Sequence, residues 1–196
     1  PFTSVSPRPR REMDGQARHF MSVPFVDGHA LEDYYVDMID AAQERIEIVN
    51  PYLNPTEPIA KAFDRAIARG VEVEVVGRID MSGDLGGEIL TAVNAAFVEK
   101  NRDRMQISDY KAAEVLLHAK ILMIDQRFVS VSSVNLNNRS FFHDSENGIV
   151  VLDRAFYGRM HKIFDYYKGD SVPVTKRVPW SAWKLLLLSP TLRKAL

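Results

Sequence analysis

Apolar positions along this chain follow two periods in turn. Leu31, Tyr34, Tyr35, Met38, Ile39 and Ala42 recur three or four residues apart, which predicts an amphipathic helix from about His29 to Arg45. Ile46, Ile48 and Val49 then read as a short buried strand, stopped by Asn50-Pro51 because proline cannot donate to a ladder. Thr56 stands where a cap belongs for a second helix with the apolar face Ile59, Phe63, Ala66 and Ile67. Gly70 follows as its C-terminal glycine, and Arg69 in the last turn meets the carbonyl end of the dipole. Val71, Val73, Val75 and Val76 make the next strand. Past the turn-forming Ser82-Gly83-Asp84, a third helix is marked by Ile89, Leu90, Val93, Ala96 and Phe97. Further strands are predicted over Met105–Ile107, Ala119–Ile124, Arg127–Val131 and Gly148–Leu152. A last helix carries Phe156, Met160, Ile163, Phe164 and Tyr167. This alternation predicts an α/β fold, a mixed β-sheet sandwiched between helices, as one domain over residues 25–175.

The two ends break the pattern. Over residues 1–24, Pro1, Pro7 and Pro9 with Arg8, Arg10 and Arg11 interrupt every period, as in a flexible basic arm or linker. Over residues 176–196, Trp180, Trp183, Leu185 to Leu188 and Leu192 alternate with Lys176, Arg177, Lys184, Arg193 and Lys194. This amphipathic tail suits either a membrane interface or a terminal helix docked on the domain. The chain begins at Pro1 rather than Met, which leaves room for a preceding signal peptide or partner domain.

Composition narrows the choice of function. With 46% hydrophobic and 26% charged residues, the 196-residue chain is that of an ordinary globular domain. Its 25 basic and 26 acidic residues leave a net charge of -1, so no global field advertises nucleic-acid binding, although a local basic groove stays open. The absence of cysteine excludes disulfides and thiolate metal sites. No apolar run approaches the roughly 20 residues of a membrane span.

Candidate chemistry concentrates at His118-Ala119-Lys120. Side chains two apart on a strand share a face, so both can reach one ligand while Ile121 and Met123 point into the core. After a tight turn, Ser133 and Asn135 repeat the spacing, inside a polar stretch from Ser130 to Ser140. His19, His29 and His161 fit no ligand or catalytic spacing, and His143, which sits close by, reads as a loop residue. Asp80 and Asp84 flank a turn and lack partners at metal-binding spacing.

His118, Lys120 and Asp125, followed by Ser132-Ser133-Val134-Asn135, resemble the HKD motif of the phospholipase D superfamily, with Ser132 where that pattern carries glycine. The resemblance extends to the flanks. Asn50-Pro51-Tyr52-Leu53 with Pro55 is similar to the Pro-Tyr-Phe segment of cardiolipin synthases and related bacterial enzymes, and Ala66 to Val76 to their next helix and strand. Leu136 to Ser140 with Glu146 is similar to their asparagine-rich stretch and downstream acid, and Trp180 to Leu192 to their C-terminal end.

The resemblance implies a phosphodiesterase in which one histidine attacks phosphorus and a second protonates the leaving oxygen. Imidazole, with a pKa near about 6.5, suits either task. His118 takes one of these roles, the acid by analogy with C-terminal motifs. Lys120 and Asn135 hold phosphate oxygens and Ser133 supports them. Glu146, or Asp144 beside it, fixes the second ring nitrogen of His118. Asp125, the motif's third letter, counts with His118, Lys120, Asn135 and Glu146 among the catalytic candidates the resemblance implies, although it falls in the turn between strands, where a structural part fits it best. No metal or other cofactor is implied. Such a site needs two motifs and the chain holds one, so a partner half is implied, either a second copy or an N-terminal half on the same gene product or a separate chain. The expected substrate is phospholipid, by head-group hydrolysis or phosphatidyl transfer, in a bacterial, peripheral-membrane or exported setting with the tail on a membrane surface. A homodimeric endonuclease acting on nucleic acid is the alternative, and a scaffold that has lost catalysis a third reading.

Overall fold

The computed structural model describes residues 16–81, 85–112 and 116–175. Its centre is an eight-stranded sheet in the order β1 (Gln16–Ser22), β9 (Glu146–Leu152), β7 (Phe128–Ser132), β6 (Ile121–Ile124), β2 (Arg45–Val49), β4 (Glu72–Gly77), β5 (Gln106–Tyr110) and β10 (Ser171–Pro173). Strands β2, β4 and β5 run parallel, and every other pairing in this sheet is antiparallel. Two short strands, β3 (Leu53–Asn54) and β8 (Leu136–Asn137), pair in parallel beside it. The expected mixed sheet between helices is therefore the architecture found.

The helices are α1 (Pro24–Asp27), α2 (Ala30–Ala41), α3 (Glu57–Ala68), α4 (Leu85–Asn101), α5 (Asn138–Phe142) and α6 (Arg154–Gly169). Helices α2, α3 and α4 bury Leu31, Ile39, Phe63 and Val98 against one sheet face, where Ile46, Ile48, Val75 and Leu122 meet them. Among the described residues, α6 packs the opposite face through Tyr157, Met160 and Phe164 against Val49, Val76, Ile121 and Met123. Strand β6 is thus buried on both sides. Ile121 and Met123 point into a core as expected, and so do Leu122 and Ile124.

Local signals act as the sequence suggests. Thr56 is the N-cap of α3, though its side chain makes no capping bond. Gly70 adopts φ 88°, while its amide donates to Ile67 O and that of Val71 to Ala66 O, so the left-handed residue closes the helix.

Several boundaries shift, and three of the shifts have a bearing on the site or the ends. Residues 16–22, inside the expected arm, form β1, which pairs along its whole length with β9. The helix expected to reach Arg45 stops at Ala41, because Asp125 accepts the amides of Gln43, Glu44 and Arg45 at 2.8, 2.8 and 3.0 Å and draws the chain out of helical register. The strand expected from Ala119 begins at Ile121. The tail over residues 176–196 and the first fifteen residues of the arm lie outside the described residues. No described helix is long and apolar enough to cross a membrane.

Candidate active site

Antiparallel pairing gathers the candidate residues at one end of the sheet. Lys120 directly precedes β6, and its carbonyl accepts the Ser132 amide at 3.1 Å, which brings the end of β7 alongside. Ser133 then exchanges bonds with Asn147: its amide donates to Asn147 O at 2.9 Å, and Asn147 N donates to its Oγ at 3.0 Å. Glu146, at the start of β9, is thereby set beside Ser133. His118, Lys120, Ser133, Asn135 and Glu146 thus share one rim.

Each has a distinct setting. His118 is exposed, whereas Lys120 is only 6% exposed. The Lys120 ammonium donates to His118 O at 2.8 Å, tying the two motif residues through the backbone. Burial lowers the Lys120 pKa from its ordinary value, and the nearby Glu146 carboxylate opposes that shift. Glu146 is buried and accepts a hydrogen bond from the Ser133 hydroxyl. Among the described residues no hydrogen bond or ion pair joins Glu146 to His118, so the acid expected to orient the imidazole holds Ser133 instead. Asp144, the alternative, pairs with Arg139 Nε at 3.1 Å on the surface.

Asn135 is fixed through its backbone. Its amide donates to Ser140 Oγ at 3.0 Å, and Ser140 N in turn donates to Asn137 Oδ1 at 3.0 Å. The Asn135 side-chain oxygen is buried with no hydrogen-bond partner among the described residues. An unpaired acceptor of this kind costs free energy unless a donor satisfies it.

Asp125 does not join this group. It stands at the other end of β6, seven residues from His118, a span of at most roughly 23 Å at about 3.3 Å per residue. There it holds the turn entering β2, and its own φ of 51° and the 56° of Gln126 make a tight left-handed turn. The structural part expected from its turn position is the one observed. Among the described residues no cluster of three or more His, Asp or Glu side chains could hold a metal ion.

Supporting residues without an expected role also appear. The Tyr35 hydroxyl lies 3.5 Å from Ser132 Oγ, and burial pushes its pKa up to about 12. Ser132 Oγ also accepts the Val134 amide at 3.2 Å, so the serine standing in for glycine caps the turn into the asparagine-bearing loop. Asn50 is buried against that loop as well. A polar side chain closing an apolar strand was its signal in the sequence.

Comparison with known proteins bears on the family and the fold. The family model described as cardiolipin synthase, PLD-like domain, matches residues 35–168. Cardiolipin synthase A of Pseudomonas aeruginosa is 30% identical over 144 residues, covering 72% of this chain and 28% of that protein. The phosphatidylserine synthase of Haemophilus influenzae shares the fold with a TM-score of 0.76 at 16% identity, over 92% of this chain and 47% of that one. The phospholipase D family member Nuc of Salmonella typhimurium superposes with a TM-score of 0.62 at 16% identity, over 83% of this chain and 100% of its own. The chain therefore spans little more than a quarter of the length of the one synthase and just under half of the other.

Proposed function

The chain belongs to the family of phospholipase D-like domains found in cardiolipin synthase, and from that premise we propose that it acts on phospholipids as a phospholipase D-type phosphodiesterase or phosphatidyltransferase, supplying one of two half-sites. The observation that carries this reading is the assembly of His118, Lys120, Asn135 and Glu146 on one rim of the sheet.

The chemistry follows from the groups present. A histidine nucleophile forms a P–N bond as the ester oxygen leaves, and that oxygen needs a proton from a second acid. One His-x-Lys cannot fill both roles, so His118 takes one and a partner's histidine the other. Lys120 has three donor hydrogens, of which His118 O uses one, leaving two for phosphate oxygens. Its low-polarity setting strengthens that attraction as negative charge grows on a five-coordinate phosphorus. The Asn135 amide grips another oxygen. Ser133 already donates to Glu146, so it braces the acid rather than the phosphate.

A partner surface adjoins the site. Val131 and Ile149, 40% and 50% exposed, are cross-strand neighbours on the α6 side of the sheet, next to Ser133 and Asn147. A second half seated there would cover them and complete the site. The tail over residues 176–196 fits contact with the bilayer in the same scheme.

A second reading, a homodimeric phosphodiesterase acting on nucleic acid, is favoured by the match to Nuc over that protein's whole length. One assay separates the two. The purified protein, with any chain that accompanies it, is given anionic phospholipid vesicles or DNA. Head-group release or transfer that His118→Ala abolishes supports the lipid reading. DNA cleavage without phospholipid turnover replaces it, and turnover that survives His118→Ala removes both.

A further inference from the structure

We propose that Asn50 is a positioning residue for the phosphate site, acting through the backbone on either side of Asn135. The proposal rests on Asn135 holding phosphate, as read above.

Asn50 follows β2 and is 3% exposed. Its backbone amide donates to Val76 O at 3.0 Å, which fixes its Cα to the centre of the sheet. From there one side chain grips both neighbours of Asn135. Its Nδ2 donates to Val134 O at 3.1 Å, and its Oδ1 accepts from Leu136 N at 3.4 Å and from Tyr52 N at 3.2 Å. A donor and an acceptor held in one plane imitate the edge of a β-strand, so the amide acts as a one-residue ladder for the loop. Aspartate has the shape but lacks the donor, and alanine lacks both.

The clamp is itself braced. Leu53 pairs with Leu136 in the short β3–β8 ladder, which fixes the register between the two segments. Asn94 on α4 accepts Leu53 N at 2.8 Å and donates to Pro51 O at 3.0 Å. The position of Asn135 is therefore carried from α4 and the sheet centre through buried amides. Its backbone is held at 134, 135 and 136, while its own side-chain oxygen has no partner among the described residues. Both polar atoms of Asn50 are engaged by backbone, which makes it a residue that aims another rather than one that binds phosphate.

The test is a double-mutant cycle on the full chain with inorganic phosphate as probe, read by calorimetry and by NMR of the Asn135 side-chain amide. Asn50→Asp is expected to weaken phosphate binding about tenfold or more and to abolish the shift of the Asn135 resonance on titration. In an Asn135→Ala background the same change should have almost no further effect, whereas in a Lys120→Ala background it should keep its full size. Equal effects in all three backgrounds, or binding unchanged by Asn50→Asp, overturn the proposal. Should Asn50→Asp not fold, Asn50→Ser, which keeps a short donor, is carried through the same cycle. If the wild-type chain ignores phosphate, or Asn135→Ala binds it as well as wild type, the reading of Asn135 falls and takes the clamp with it. If those two results hold and the cycle is additive, Asn50 alone is wrong.

Discussion

Ser132 and Gly148 face one another across β7 and β9, and a Cβ on Gly148 would come within 2.5 Å of the Ser132 Cβ. The Phe20 ring closes on the same point, with Cε1 at 2.6 Å and Cζ at 2.7 Å. The resembled motif has glycine where Ser132 stands. Here the room is left by the opposite strand, and the added hydroxyl serves as a cap for Val134 N.

Gly148→Ala should therefore be destabilising although its backbone needs no special φ. Overpacking of this kind costs about 1–3 kcal/mol. Urea denaturation should show that loss, and the loss should shrink in a Ser132→Gly background, where one of the two obstacles is gone. An equal loss in both backgrounds would mean that Phe20 alone sets the limit.

Asp125→Ala should separate stability from binding. Three backbone amides lose their carboxylate acceptor, and alanine must hold a positive φ, which together cost about 2–3 kcal/mol given the partly exposed setting. Phosphate affinity should stay within twofold of wild type. A large loss of affinity in a variant of near-normal stability would return Asp125 to the catalytic group.

These two cases show what the sequence made legible. Periodicity finds the strands and helices that bury a full stripe, such as α3 and β4. It finds the rim residues because His118, Lys120, Ser133 and Asn135 sit on a short stretch with a recognisable order. It misses β1, whose Gln16–Ser22 buries only Phe20 and Ser22 and is held by a strand more than a hundred residues away. It passes over Glu47, between Ile46 and Ile48, because nothing local shows that the carboxylate is wholly buried. Its partners, the Tyr157 hydroxyl and His161 Nδ1 at 3.0 Å, come from α6. Asn50 is visible as the polar residue that closes β2, but its bonding partner is not, since that partner lies in a loop 84 residues on.

Lys120 yields a prediction in pH. Burial lowers its pKa below the ordinary 10.5, so it sheds its proton at a lower pH than an exposed lysine. As pH rises through that lowered value, the charge that grips phosphate disappears, and phosphate affinity should fall before 10.5 is reached. Stability should move the other way. In this window the unfolded chain keeps a proton that the folded chain has released, so the free energy of unfolding gains with pH until the unfolded lysine also titrates. Lys120→Met should abolish both trends, leaving weak phosphate binding without the alkaline limb and a flatter stability profile. Calorimetric titrations with phosphate and urea melts, each run from neutral to alkaline pH on wild type and variant, read the two effects independently. If affinity and stability fall together, alkaline unfolding rather than Lys120 controls binding. If the wild-type limb appears only above 10.5, the ammonium is not desolvated in the way its burial indicates.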